Sequence, residues 1–181
     1  MTPIQREKMI RLLKQSQAET RALIGPLTEA QLTFKPAVDR WSTIETAEHI
    51  MLAEEFLFRA VRRALSMPRN PNWETATRDK TAFLETALGA RLGKAQAPER
   101  LVPSGTLSCR EILDRFEAAR AETLEFAENI DAPLEVHTLE HPFPVFGTLN
   151  AYQWLLYIPL HNIRHNKQIE ELVTNPAFPK S

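Results

Sequence analysis

Four helix-start signals constrain the fold of this sequence more than any other feature. Each is a capping box, in which a Ser, Thr or Asn side chain accepts a hydrogen bond from the third helical amide while a Glu or Gln three residues on reaches back to the cap amide. The boxes are headed by Thr2, Ser42, Ser108 and, in a weaker form, Asn150. Each precedes a long segment of helical spacing, so the sequence predicts helices over about 3–24, 42–66, 108–129 and 150–173.

Three unequal connections join the predicted helices. Residues 25–41 hold a short helical turn from Thr28, residues 67–107 hold a lesser helix near 79–88, and residues 130–149 are rich in proline. Only five glycines occur and two-residue alternation is hard to find, which favours an all-α protein. We expect a single domain over the whole chain, in which the connection over residues 67–107 is long enough to cross a helical bundle from end to end.

The composition bears on the cellular location of the protein and on the classes of partner it could bind. A hydrophobic share of 43%, a charged share of 25% and a formal net charge of -1 are ordinary for a globular protein and lack the basic excess of a nucleic-acid footprint. No segment approaches the roughly 20 apolar residues of a membrane span, and the first ten residues are too polar for a signal peptide. The single cysteine, Cys109, excludes an intramolecular disulfide. These features predict a cytoplasmic protein without a nucleic-acid or membrane partner.

Two histidines in the last predicted helix, His161 and His165, are the first candidates for a functional site. They belong to a stripe at three- and four-residue steps that consists of Trp154, Ile158, His161, His165, Ile169 and Leu172. Such a stripe predicts that both histidines face the core. Imidazoles four residues apart on a helix can reach a common point, as the ligands of zinc, nickel or iron do.

A third ligand is expected from the second predicted helix, where His49 lies on an inward stripe with Leu52, Ala53, Phe56 and Ala60. Three neutral imidazoles leave at least one coordination position for water or substrate, which is typical of a catalytic metal. Three imidazoles accept zinc, nickel, iron or manganese, so the sequence does not select among these metals. The alternative is that all three are hydrogen-bonded histidines of the core.

Two other metal motifs are absent. His161 is followed by Asn162 where the HExxH helix of zinc proteases has its glutamate. No glutamate stands three residues before any histidine, so the Glu-x-x-His pairs of ferritin-like di-iron bundles are missing as well.

Three further residues are candidates for a catalytic or orienting role: Glu45, Tyr157 and Gln168. Glu45 and Tyr157 each lie one turn before a candidate ligand, and Gln168 lies three residues after His165, where it could orient that ring. Glu45 also serves a capping box and Tyr157 could simply pack, so structural roles stay open for both. We expect Arg164 to point away from the histidine face.

A second pair of histidines, His137 and His141, lies outside the predicted helices. Both fall in the proline-rich connection, and Pro142 disfavours helical backbone at His141. We expect both to be surface loop residues, with the alternative that His141 leans over the mouth of a pocket.

Two motifs resemble those of the DinB superfamily, also described as DinB/YfiT-like metal-dependent enzymes. They are Arg40-Trp41-Ser42 leading into Glu45 and His49, and His161-x-x-Arg164-His165-x-x-Gln168-Ile169. The likeness covers about residues 4–173. One departure is Pro159, which removes an amide from the last helix and is expected to kink it near the histidines.

The resemblance implies a four-helix bundle of up-down-down-up topology with a long crossover connection. It also implies a divalent metal held by His49, His161 and His165 at one end of the bundle. Members of known activity are similar to S-transferases or isomerases that use low-molecular-weight thiols such as bacillithiol or mycothiol, and many form homodimers. The expected function is therefore a metal-dependent thiol S-transferase acting on small electrophiles. A metal-dependent hydrolase and a non-catalytic dimerisation or ligand-binding bundle are the alternatives.

Overall fold

The computed structural model describes residues 1–89 and 96–180, and this part of the chain is mainly helical, as predicted. The helices are α1 (Pro3–Ile24), α2 (Glu29–Leu32), α3 (Thr43–Ser66), α4 (Trp73–Thr77), α5 (Lys80–Gly89), α6 (Cys109–Asn129) and α7 (Ala151–Val173). The strands β1 (Thr138–Glu140) and β2 (Thr148–Asn150) form a two-stranded antiparallel sheet, and 3-10 helices span Glu99–Leu101 and Leu134–Val136. Residues 90–95 of the long connection and residue 181 lie outside the described residues.

Cap chemistry accounts for the starts of the four long helices. All four predicted capping boxes are formed, and each helix begins one residue after its cap. Thr28 heads a further box at the start of α2, which is the helical turn predicted there. The lesser helix predicted near residues 79–88 is α5, which packs against α7.

The four long helices share a core. In it α1 packs against α7 and α6, α6 also packs against α3, and α3 packs directly against α7. Its apolar residues divide into two clusters. The first apolar cluster includes Met9, Leu13, Leu57, Ala127 and Leu155. The second apolar cluster includes Ile24, Ile50, Met51, Ile112, Phe116 and Ile169. Each long helix contributes to both clusters.

A buried polar layer separates the two apolar clusters on all four long helices. We define it by Ser16, Thr20, Glu54, Arg120, Asn162 and Asn166. Arg120 donates from Nε and Nη2 to the two carboxylate oxygens of Glu54 at 2.8 and 2.7 Å, and from Nη2 to Oδ1 of Asn162 at 3.0 Å. Asn162 donates in turn to Oγ1 of Thr20 at 2.8 Å. Because every long helix contributes, the layer fixes their mutual register through directional bonds.

Four elements were not predicted from the sequence: the short helix α4, the two 3-10 helices and the β1–β2 hairpin. Strands of three residues are too short for a two-residue alternation to be recognised. The hairpin is stabilised by tertiary contacts, since Nε1 of Trp154 donates to the carbonyl of Leu139 at 3.2 Å. Asn150 ends β2 and also caps α7, so the hairpin determines where α7 begins.

Helix α7 runs through Pro159 as one continuous helix, and the proline itself is buried. Among the described residues, no helix combines the length and the apolar character that crossing a membrane requires.

Candidate metal centre

Three histidines converge where α3 packs against α7. Each of His49, His161 and His165 offers one ring nitrogen, and the three nitrogens all lie within 4.8 Å of one another. Nε2 of His49 is 3.3 Å from Nε2 of His161. Two nitrogens bound to one tetrahedral zinc at about 2.0–2.1 Å would lie about 3.4 Å apart. The spacing of this pair therefore fits a shared ion without rearrangement of the helices.

A backbone carbonyl sets the tautomer of His49. The oxygen of Leu101, in the 3-10 helix Glu99–Leu101, lies 2.7 Å from Nδ1 of His49. Because a carbonyl can only accept, Nδ1 carries the proton and Nε2 keeps its lone pair. That lone pair is the atom facing His161, which is the form a metal ligand needs.

The side chain of Gln168 orients the ring of His165 in the same way. Its Oε1 lies 3.1 Å from Nδ1 of His165, one turn along α7. An amide oxygen in this place favours the proton on Nδ1 and leaves Nε2 available. The sequence candidate Gln168 thus lies against a candidate ligand.

Burial favours the neutral form of two of these rings, those of His49 and His161. It lowers the pKa of the His49 imidazole, with the Leu101 hydrogen bond opposing the shift. Burial lowers the pKa of His161 well below its usual value, and the neighbouring His165, His49 and Arg164 lower it further. Neutral imidazole is the form that binds metal, so the environment favours ligation near neutral pH.

Tyr157 packs beside the histidines. Its ring stacks on His161 with centroids 5.9 Å apart, and its side chain is buried. Burial raises its pKa far above the usual value, although the charge of Arg164 acts in the opposite sense. The phenol therefore stays protonated and can donate a hydrogen bond to a group bound at the centre.

Glu45 lies in its capping box. Its Oε2 accepts from the amide of Ser42 at 2.8 Å and its Oε1 from Nζ of Lys35 at 2.7 Å. Burial alone would raise the pKa of this carboxyl, but the hydrogen bonds from Lys35 and Ser42 outweigh it and the pKa is lowered. Both oxygens are thus engaged in holding the start of α3.

The predicted stripe of α7 faces inward. Trp154, Ile158, Ile169 and Leu172 are buried, and His161 and His165 are half-buried where they meet His49 of α3. Asn162 and Asn166 are also buried, in the polar layer, and an apolar stripe cannot mark a core position filled by asparagine. Arg164 lies near enough to the site for its charge to affect the pKa values of His161 and Tyr157, and its Nη1 atom is buried.

The expectation that His141 is a surface residue is wrong. Its side chain is 5% exposed and stacks on Trp154 and Tyr157, with ring centroids 4.8 and 5.5 Å away. Its Nδ1 accepts from the amide of Phe143 at 3.0 Å. The hairpin places this ring against α7, and sequence reasoning missed it because the hairpin itself was not predicted. His137 is half-buried, with Nδ1 2.8 Å from the carbonyl of Met67.

The carbonyl of Leu101 was also missed. A backbone acceptor has no signature in the sequence, and Leu101 stands 52 residues from His49. Only the folded chain brings them together.

These features define a class of protein, a mainly helical protein in which three histidines converge and could hold a divalent metal. Comparison with known sequences agrees, because the profile of the DinB superfamily matches residues 12–169. The chain belongs to the DinB superfamily.

One relative is the uncharacterized protein YuaE of Bacillus subtilis (strain 168). It is 28% identical over 173 residues, which cover 89% of this chain and 94% of the relative. No solved structure gives a significant match to the chain.

Proposed function

We propose that the protein binds a divalent metal through His49, His161 and His165 and acts as a metal-dependent thiol S-transferase on small electrophiles. The observation that carries the proposal is the convergence of three imidazole nitrogens within 4.8 Å. Three protein ligands fill too few positions to close a coordination shell, which is typical of catalytic centres. Zinc, nickel, iron and manganese all accept such ligands.

A divalent ion held there would favour the thiolate form of a bound low-molecular-weight thiol and polarise an electrophile. The residues of the chain prepare the centre for it. Leu101 and Gln168 fix the ring tautomers of His49 and His165. Tyr157, protonated at neutral pH, donates a hydrogen bond to the electrophile or its leaving group.

In the proposed reaction the thiol sulfur forms a bond to an electrophilic carbon, and the leaving group departs with the electrons of the broken bond. The thiol proton passes to the leaving group or to solvent, so no oxidant is required. The sulfur comes from a small molecule because the cysteine of the chain is unsuited to the role. Burial raises the pKa of the Cys109 thiol, and the charge of Glu29 raises it further.

The first test is elemental analysis of protein purified without an affinity tag or chelator. We expect near-stoichiometric divalent metal in the parent and in His137→Ala, a matched variant that removes a half-buried histidine outside the cluster. His49→Ala and His161→Ala should lose the metal. A parent that stays metal-free after reconstitution with zinc, nickel and manganese would contradict the proposal.

The second test separates transferase from the alternatives. The metal-loaded protein is incubated with a panel of thiols and alkylating electrophiles, and product is followed by mass spectrometry. Thiol-dependent product that falls in Tyr157→Phe supports the transferase. Loss of electrophile without thiol identifies a hydrolase, and no turnover with any pair identifies a binding bundle.

We also propose the up-down-down-up topology for the four long helices. Along α1 and α7 the first apolar cluster precedes the polar layer and the second follows it, whereas the order is reversed along α3 and α6. In a Cys109→Ser background, spin labels at positions 7 and 125 should lie close together. Labels at 7 and 110 should lie about 30 Å apart, roughly the length of a 20-residue helix. A distance between labels 7 and 125 equal to that between labels 7 and 110 would contradict the topology.

A homodimer is the assembly we propose, on the resemblance to family members. Sedimentation equilibrium of the metal-loaded protein should give twice the mass of the 20.7 kDa chain. A monomer at micromolar concentration would contradict it.

A further inference from the structure

Glu48, the residue before the candidate ligand His49, is buried with only 3% of its surface exposed. Its carboxylate accepts three hydrogen bonds from one short segment. Ser104 donates to Oε1 from its amide at 2.9 Å and from its hydroxyl at 2.7 Å, and the amide of Gly105 donates to Oε2 at 3.1 Å. The ion pairs of the described residues do not include Glu48. A buried carboxylate without a cation depends on such donors, so it and the segment hold each other in place.

The backbone of this segment is shaped to bind the carboxylate. Two successive amides, those of Ser104 and Gly105, converge on one anion, as in the anion-binding nests formed by consecutive N–H groups. Gly105 has φ of +68°, a left-handed conformation that residues with a Cβ rarely adopt. The hydroxyl of Ser104 is held in addition by Thr106, with 2.8 Å between the two side-chain oxygens.

The same segment carries the carbonyl that orients His49. Leu101, three residues before Ser104, accepts from Nδ1 of His49 at 2.7 Å. Two consecutive residues of α3 are therefore hydrogen-bonded to one segment. Glu48 accepts from Ser104 and Gly105, and His49 donates to Leu101. Without the bonds to Glu48, the contacts of this segment with α3 would still include the His49 bond and the Arg100 guanidinium, 4.2 Å from the ring centroid of Phe56. Neither of these contacts holds residues 104–105.

We infer that Glu48 is a positioning residue of the metal centre: by anchoring residues 104–105 it holds the Leu101 carbonyl against Nδ1 of His49 and so keeps Nε2 free as the ligand atom. The inference rests on the proposed metal function for its purpose, but its geometry can be tested in metal-free protein. Glu48 acts through the segment and has no part in the reaction itself.

The decisive experiment is long-range ¹H–¹⁵N NMR of the metal-free protein at a fixed neutral pH, which identifies the protonated nitrogen of each histidine ring. Comparison with His49→Ala assigns the His49 signals. We expect the parent to hold His49 in the Nδ1–H form. Glu48→Gln, which places an amide NH₂ against an N–H donor, should give a mixture of tautomers, and Ser104→Ala, which removes one of three bonds, a smaller proportion of the second form.

Glu55→Gln is the matched control, because Glu55 lies on the same helix and its carboxylate bonds to Arg115 instead of the 101–105 segment. Its His49 tautomer should equal that of the parent. An unchanged tautomer in both Glu48→Gln and Ser104→Ala would overturn the inference. If Glu48→Gln fails to fold, an unchanged Ser104→Ala alone would overturn it.

Zinc affinity, measured by competition with a chromophoric chelator, supplies the second readout. Glu48→Gln should bind zinc about 10-fold more weakly than the parent and Glu55→Gln, as expected for the loss of a group that orients a ligand. Equal affinities would contradict the positioning role. Failure of the parent to bind zinc, nickel and manganese would instead contradict the proposed function, and the tautomer measurement would still decide whether Glu48 orients His49.

Discussion

Replacement of Arg120 should lower the free energy of unfolding more than replacement of any exposed arginine. The side chains of Arg120 and Glu54 are 0% and 1% exposed, and the two form a bidentate pair at 2.8 and 2.7 Å. Arg120→Met would leave the Glu54 carboxylate buried without its cation. Removing one partner of such a pair costs about 3–5 kcal/mol, a large part of the 5–15 kcal/mol that stabilises a typical domain.

Removing both charges should be less damaging. In Glu54→Leu/Arg120→Met the uncompensated charge disappears, and apolar side chains replace a pair whose desolvation is costly. Three other acceptors, the carbonyl of Leu13, Oγ of Ser16 and Oδ1 of Asn162, still lose a charged donor. At about 1 kcal/mol for each lost hydrogen bond, the double variant should be destabilised by about 3 kcal/mol, well below the sum of the two single variants.

Urea unfolding followed by circular dichroism would measure these free energies as a double-mutant cycle. The matched control is the exposed pair of Arg62 and Glu122, which joins the same two helices. Arg62→Met should cost less than about 1 kcal/mol. A double variant destabilised by the full sum of its two single variants would refute the reasoning, since it would mean that the buried charges do not depend on each other.

Three further predictions concern single side chains. Burial lowers the pKa of His141 to about 4 from 6.5, so between these pH values the unfolded chain binds a proton that the native chain does not, and stability should fall as the pH falls. His141→Phe should flatten that dependence in unfolding titrations. Gln168→Leu, which removes the contact to His165, should weaken zinc binding about 10-fold in chelator competition. Ser108→Ala removes the side-chain cap of α6 and should lower the unfolding free energy by about 1 kcal/mol in urea titrations.

Each of these predictions has a result that would contradict it. A pH dependence in His141→Phe as steep as that of the parent would contradict the first. Glu170→Gln, an exposed change on α7, should leave zinc affinity unchanged, and the second prediction fails if Gln168→Leu also does. The third prediction fails if Ser108→Ala leaves the unfolding free energy unchanged.

The helices and the histidine pair on α7 were predictable because their causes are local. A capping box is complete within four residues, and all four predicted boxes formed. His161 and His165 share a helix face whatever surrounds it. His49 was found from a stripe, which required only that α3 be helical.

Other parts of the site depend on contacts between residues far apart in the sequence. The bonds of His49 to Leu101 and of Glu48 to Ser104 span 52 and 56 residues. Both involve a backbone atom, the Leu101 carbonyl oxygen and the Ser104 amide, that no sequence pattern marks. His141 entered the aromatic group beside Tyr157 only through a hairpin too short to recognise.

The sequence by itself therefore determined where the long helices begin and which histidines could meet, because capping and helical periodicity act over a few residues. The tertiary structure decided which ring nitrogens face one another and how each is oriented. It also placed Arg120 and Glu54 in a buried polar layer, where a stripe of apolar residues would otherwise be expected. These outcomes follow from the packing of α3, α6 and α7 against one another, and helix packing is a property of the whole chain.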